Sequence, residues 1–415
     1  KIDIDLKKIK LTLDPFKLKI YAKTVGTTVY FSKRPLALES IKTQVSLIPL
    51  IKNKISSSNL KVTTKSILLN DLIKFIRATN NKPEFFILEK MTKKGHIIID
   101  LSLNIDDNGK IKNDYEIKGS IKNANLDLLN QAKLDNINLN FNIEDDNYDL
   151  NDIKFKFDNI NLISKKINIK KKKNSFLLNG VIKNNQSILN LDILKILSLD
   201  LINDNIDDVK FSTKNEFSLE VNKKFKVKNI ILNSDINIDQ LKYKKPEIVN
   251  NFFSNINNSI LLKKHKLNLK YKNNNLSIKG EGQIKIGKEL DQIKYLINKK
   301  EKNLTITADL FLQNITLNKY DFLEIYFPNV KEKIDFKNQK IKIDYNNKDL
   351  TFSGSGKFKM NKDFEKINYF FKKNENKVFF NTELDLKSTN FKIDNINYKK
   401  KKETNLNLII KGEYK

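Results

Sequence analysis

The chain has no cysteine and no tryptophan, and its 415 residues include two histidines, six prolines and eleven glycines. Without cysteine there is no disulfide framework, no thiolate nucleophile and no cysteine-based zinc site. Without tryptophan, an outer-membrane barrel lacks part of its aromatic girdle, and a glycan-binding protein lacks its usual stacking platform. His96 and His265 stand far apart in sequence and close to lysines, so both are expected at the surface, with no partner to complete a metal site. The longest apolar runs are short stretches such as Leu47 to Ile51, far below the roughly 18 residues of a membrane-spanning helix.

Catalytic motifs are equally scarce. Asp106 to Gly109 reads DDNG, a hairpin-turn signal without the alternate-ligand spacing of a calcium loop. The acidic group Asp204, Asp207 and Asp208 also lacks that spacing. The GEG at Gly280 and the GSG at Gly354 have neither the third glycine nor the strand-to-helix setting of a phosphate loop. No serine sits in a nucleophile elbow. The chain is therefore expected to be no enzyme and to take neither cofactor nor metal.

A net charge of +29 raises the question of nucleic acid. The basic residues, however, are almost all lysine and are spread along the chain among 49 acids, whereas nucleic-acid binders favour arginine and a concentrated patch. Lysine, asparagine and isoleucine dominate as they do in products of AT-rich codons. No nucleic-acid partner is expected. The dense runs Lys170 to Lys173 and Lys399 to Lys402 are expected to be solvated hairpin tips, within reach of anionic headgroups.

What the chain does have is alternation. Ile97, Ile99, Leu101, Leu103 and Ile105 form one row, and Ile137, Leu139, Phe141 and Ile143 another. Phe217, Leu219 and Val221 form a third, then Leu267, Leu269 and Tyr271, then Leu304, Ile306, Leu310 and Leu312, then Ile341, Ile343 and Tyr345. Successive strand side chains point to opposite faces, so each row gives one apolar and one polar face. The fold class expected is mainly β: an elongated, curled antiparallel sheet forming an apolar groove, with a few short α-helices at its edges or ends. The rows are the candidate lining.

Four segments show helical spacing: Ile67 to Ala78, a stretch opened by Pro246 and ending at Ile260, one with Leu290, Ile293, Leu296 and Ile297, and one with Phe364, Ile367, Phe370 and Phe371. The last two belong to an internal repeat at an offset of 74 residues, in which Leu267, Tyr271, Gly280, Gly282 and Tyr295 match Ile341, Tyr345, Gly354, Gly356 and Tyr369. Its glycines are expected to mark bulges or bends. Three segments are expected: 1–80, a middle groove segment 81–262, and 263–415 carrying the repeat.

Residues 34–80 resemble the N-terminal signature of the AsmA-like family. Val45, Leu47, Pro49 and Leu50 match a step after a strand, Lys52 to Ile55 a tight turn, Leu60 and Val62 a second strand, and Leu68 to Ile76 a short helix. Asn53 replaces the usual turn glycine, and Thr64 stands near where a proline is common. The rest of the chain is similar to the family in character only. The resemblance implies a Gram-negative envelope protein in the periplasm, tethered to the inner membrane by an N-terminal helix ahead of Lys1. It implies a curled β trough that carries phospholipids or other acyl lipids between the two membranes, with membranes at its ends and envelope proteins as further partners. It assigns no catalytic residue. The alternation alone equally allows a closed β sandwich, a scaffold or adhesin with no lipid cargo.

Overall fold

A computed structural model describes residues 2–31, 34–51, 58–79, 82–106, 110–112, 114–128, 132–189, 206–224, 226–244, 259–287, 289–374, 377–401 and 403–414. Among them, 24 strands join one antiparallel sheet, and the helices are few and short. The chain forms two compact units, residues 1–185 with 214–231 and residues 186–213 with 232–415.

The first unit begins with β1 (Ile2–Asp5), β2 (Lys8–Asp14), β3 (Lys19–Val25), β4 (Thr28–Phe31) and β5 (Arg34–Ser46). After α1 (Leu47–Ile51) come β6 (Ser58–Thr64), β7 (Ile67–Leu68), α2 (Leu69–Thr79) and α3 (Pro83–Met91). A meander follows: β8 (Thr92–Ile105), β9 (Glu116–Asp127), β10 (Lys133–Glu144), β11 (Asn147–Phe157), β12 (Ile160–Lys171) and β13 (Ser175–Leu189). Strands β2, β3, β5, β6, β8 and β9 pair in that order, and the meander then continues strand by strand. Asp145 and Asp146 turn β10 into β11 with φ of 46° and 62°. Aspartate tolerates that left-handed conformation, and a turn of this kind sets the register.

Helix α2 follows the spacing of Ile67 to Ala78. It packs against β8, and Leu72 and Ile73 are buried, each contributing about 1.5–3 kcal/mol. Arg77 pairs with Glu89 at 2.6 Å, tying α2 to α3. The Nη1 of Arg34 donates to the carbonyl of Lys74 at 2.8 Å, which anchors the helix to β5. Helix α3 has no signal in apolar spacing, because Phe85 to Leu88 is an unbroken apolar run. Pro83 suits its first turn.

Strands β14 (Ile206–Asn222) and β15 (Val227–Lys244) each have residues in both units. The second unit continues with β16 (Ser259–Lys272), β17 (Asn275–Lys285), β18 (Asp291–Lys300) and β19 (Asn303–Asn318). After α4 (Leu323–Tyr326) come β20 (Lys333–Asn346), β21 (Asp349–Lys359), β22 (Glu365–Lys373) and β23 (Val378–Leu386). A small sheet of β24 (Lys392–Ile393) and β25 (Tyr398–Lys399) precedes β26 (Leu406–Tyr414), which pairs with β23. The offset of 74 maps β16 (259–272) onto β20 (333–346) and β17 (275–285) onto β21 (349–359).

A closed core sits at one end of this unit. Phe327, Val330, Phe358, Met360, Leu384, Leu386 and Phe391 bury one another, closing the segments around α4 and β24 onto the ends of β21 and β23. The buried Glu365 carboxylate pins the chain there. It accepts from the backbone N–H groups of Lys387 at 2.6 Å, Ser388 at 2.7 Å and Thr389 at 3.1 Å, and from the Thr389 hydroxyl.

Several expectations need correction. The segments at Leu290–Ile297 and Phe364–Phe371 are not helices but lie in or lead into strands β18 and β22. Both strands carry apolar residues on both faces, and the resulting spacing imitates a helix. Lys400 is not a solvated tip: it is 5% exposed, and its Nζ donates to the Lys387 carbonyl at 2.6 Å. His265 is not at the surface but 1% exposed. The stretch from Pro246 to Asn258, the Lys52–Ile55 turn, Asp107 to Gly109, and the side chains of Asp204, Asp207 and Asp208 lie outside the described residues.

Candidate functional site

In the first unit the register puts the predicted rows on one face. Ile97, Ile99 and Leu101 of β8 stand opposite Ile121, Gly119 and Ile117 of β9. Those in turn stand opposite Leu139, Phe141 and Ile143 of β10, while Ile137 faces Ala124. Leu103 and Ile105 continue the β8 row against Leu60 and Ser58 of β6. Beyond β10 the same face carries Tyr148, Leu150 and Ile153, then Ile169, Ile167 and Ser164. Phe217 joins it, because Gly180 faces Ile167 and a Cβ on that glycine would meet the Phe217 ring. Leu219 and Val221 follow Phe217 by alternation.

The second unit repeats the arrangement. Leu267, Leu269 and Tyr271 face Gly280, Ile278 and Leu276. Gly280 and Ile278 lead to Tyr295 and Ile297 of β18, and Ile297 leads to Ile306. Ile306, Leu310 and Leu312 of β19 stand opposite Tyr345, Ile341 and Gln339, while Leu304 faces Lys299. Ile343 faces Phe352, which stacks on Tyr369 at 5.4 Å. Sequence reading missed Ile293, Tyr295, Ile297, Tyr369 and Phe371 as row members because their segments read as helices.

Exposure across this face is graded. Leu101, Leu103, Ile105, Leu139, Phe141, Ile143, Leu267, Leu269, Leu304, Ile306, Leu310 and Ile343 are partly exposed, without the full burial of a sandwich core. Several of the buried positions stand next to bulges in their strands. Asn123, Asn136, Asp152, Lys264 and Asn338 adopt φ of 50–54° inside strands. The residue after each is buried: Ala124, Ile137, Ile153, His265 and Gln339. A bulge bends its strand and strengthens the local twist, and in the first unit Asn123, Asn136 and Asp152 stand on the consecutive strands β9, β10 and β11.

In the second unit the two bulges carry a repeated polar arrangement. The Nε2 of His265 donates to the Gln283 carbonyl at 2.9 Å, leaving Nδ1 to accept from the Tyr295 hydroxyl at 3.4 Å. Seventy-four residues on, Gln339 donates to the Lys357 carbonyl at 2.8 Å and accepts from the Tyr369 hydroxyl at 3.2 Å. Burial lowers the His265 pKa and pushes both tyrosines up to about 12, which keeps all three neutral near pH 7. Gly280 and Gly354 are not bends: both sit in regular register, and their missing side chains make room for the Tyr295 and Tyr369 rings.

Among the described residues, no three His, Cys, Asp or Glu side chains converge as metal ligands would, and no helix is long and apolar enough to cross a membrane. Compared with protein-family models, with curated proteins and with solved structures, the chain finds no match in any of the three.

Proposed function

We propose that the chain is a non-enzymatic lipid-binding or lipid-transfer protein, holding acyl chains against the apolar face within a groove formed where the sheet bends. The observation that carries this reading is the in-register apolar face that stays partly exposed along the strands. A sheet curled toward that face crowds its side chains at the bend and leaves the rest open to a guest. At ~0.8 kcal/mol per methylene, two chains of about 16 carbons would gain on the order of 25 kcal/mol over water. Passage from a bilayer exchanges one apolar setting for another and is nearly neutral, so a lipid held this way remains able to slide. The resemblance of residues 34–80 to the AsmA-like family supports a periplasmic setting and phospholipid as cargo.

A closed scaffold is the second reading, favoured by the sealed cluster around Phe358 and Leu386. Lipid mass spectrometry of the purified chain, followed by titration with a fluorescent phospholipid, separates the two. Co-purified phospholipid and saturable uptake are expected; an empty protein that takes up no probe overturns the lipid reading.

A further inference from the structure

The opposite, polar face of the first unit holds an arrangement that acyl chains do not explain. Lys10 of β2 stands opposite Lys23 of β3, Lys23 opposite Lys42 of β5, and Lys42 opposite Lys61 of β6. Four lysines thus form an unbroken ladder across four adjacent strands. With strands about 4.8 Å apart, the ladder spans roughly 14 Å. Like charges directly opposite one another destabilise a sheet; a shorter run, Lys337 opposite Lys357 and Lys357 opposite Lys366, crosses β20, β21 and β22, whereas several other lysines face acids. Lys118 faces Asp100, and Lys294 and Lys342 both face Asp309.

The ladder lines a concavity of about 780 Å³ whose other walls include Thr12, Gln44, Asn59 and Asn104, with no acid among them. All four lysines are exposed, and none forms an ion pair with a described residue. Four cations in so short a space, ringed by amide and hydroxyl groups, match an anion with several charges close together. The lysine ammonium is a compact point charge suited to phosphate, whereas paired carboxylates favour the arginine fork. The lining includes one aromatic side chain, Tyr21, and a concave, mostly polar surface does not fit a flat bilayer.

From this we infer that the Lys10, Lys23, Lys42 and Lys61 ladder is a binding site for a soluble anion of linked phosphates, separate from the lipid face behind it. Isothermal titration of the full chain with inorganic tripolyphosphate tests it. Lys23→Gln with Lys42→Gln removes two charges from the ladder, and Lys294→Gln with Lys342→Gln removes two from acid-faced positions in the other unit. Saturable binding is expected, weakened about tenfold or more in the first pair and nearly unchanged in the second. No saturable binding, or equal weakening in both pairs, overturns the site by reducing it to overall charge. Sedimentation with phosphatidylglycerol vesicles is the second arm. Vesicle binding that is the same in the ladder variant and the unaltered chain is expected, and vesicle binding lost with the ladder transfers the site to membrane headgroups and overturns the assignment. Lipid uptake in the ladder variant is read separately, so failure here leaves the lipid proposal standing.

Discussion

Gly282 faces His265 so closely that a Cβ built on the glycine would stand 2.4 Å from the imidazole ring. In the sister repeat, Gly356 has the same relation to the Gln339 side chain, at 2.2 Å. Each glycine is the space into which a bulged polar residue folds. Gly282→Ala should therefore cost about 1–3 kcal/mol, through displacement of the ring and its hydrogen bond to Gln283. Urea denaturation checks this, and an unchanged midpoint would show that the bulge tolerates a side chain.

His265 also makes stability depend on pH. Burial lowers its pKa from 6.5 in the folded chain, so below that value the unfolded chain binds the proton more readily. Its contribution is fully present above pH 6.5 and is lost as pH falls through the folded pKa. His265→Gln copies the sister repeat, where Gln339 makes the equivalent bonds without titrating. The variant should keep stability near pH 7.5 and lose less than the unaltered chain between pH 6.5 and 5. Equal losses would place the dependence elsewhere.

Substitutions should separate the open face from the closed core. Phe358 is 1% exposed, and Phe358→Ala should cost about 3–5 kcal/mol. Leu101 is partly exposed, and Leu101→Ala should cost about 1 kcal/mol. Leu101→Asp should leave the fold standing while abolishing uptake of a fluorescent phospholipid. If Leu101→Asp unfolds the unit as a buried unpaired carboxylate would, the face is a sealed interior.

Glu365 holds the 387–389 segment through three backbone N–H groups and a hydroxyl. Glu365→Gln removes the charge from these bonds, and bonds to a charged group contribute about 1.5–3 kcal/mol. The expected result is a lower denaturation midpoint, with hydrogen exchange accelerated at residues 387–389 more than in β16. Unchanged exchange there would mean that the apolar cluster alone holds the segment.

The strands were legible because a period of two survives in rows such as Ile137 to Ile143, and α2 because Leu69, Leu72, Ile73 and Ile76 keep a helical period. Strands β18 and β22 were not legible. Leu296 lies on the face opposite Ile293, Tyr295 and Ile297 and is 37% exposed. A single apolar residue out of phase turns a strand pattern into an apparent helix. The register of Gly280 with Tyr295 settles the matter, and that pairing depends on a neighbouring strand. His265 misled for a similar reason. Its lysine neighbours suggest solvent, but the left-handed Lys264 rotates the next side chain inward. The lysine ladder is invisible in sequence, since its members come from four strands across some fifty residues.

Ile343 and Lys342 are adjacent in β20 and face opposite sides of the sheet, the first paired with Ala308 and Phe352, the second with Asp309 and Ser353. A photoreactive amino acid placed at each in turn, with the same pair of substitutions at Leu101 and Asp100, and exposed to phospholipid reads the apolar face directly. Crosslinks to acyl chains from positions 343 and 101, with few from 342 and 100, are the expected result. Crosslinks absent from both faces, or equal on both, would contradict a lipid-holding groove.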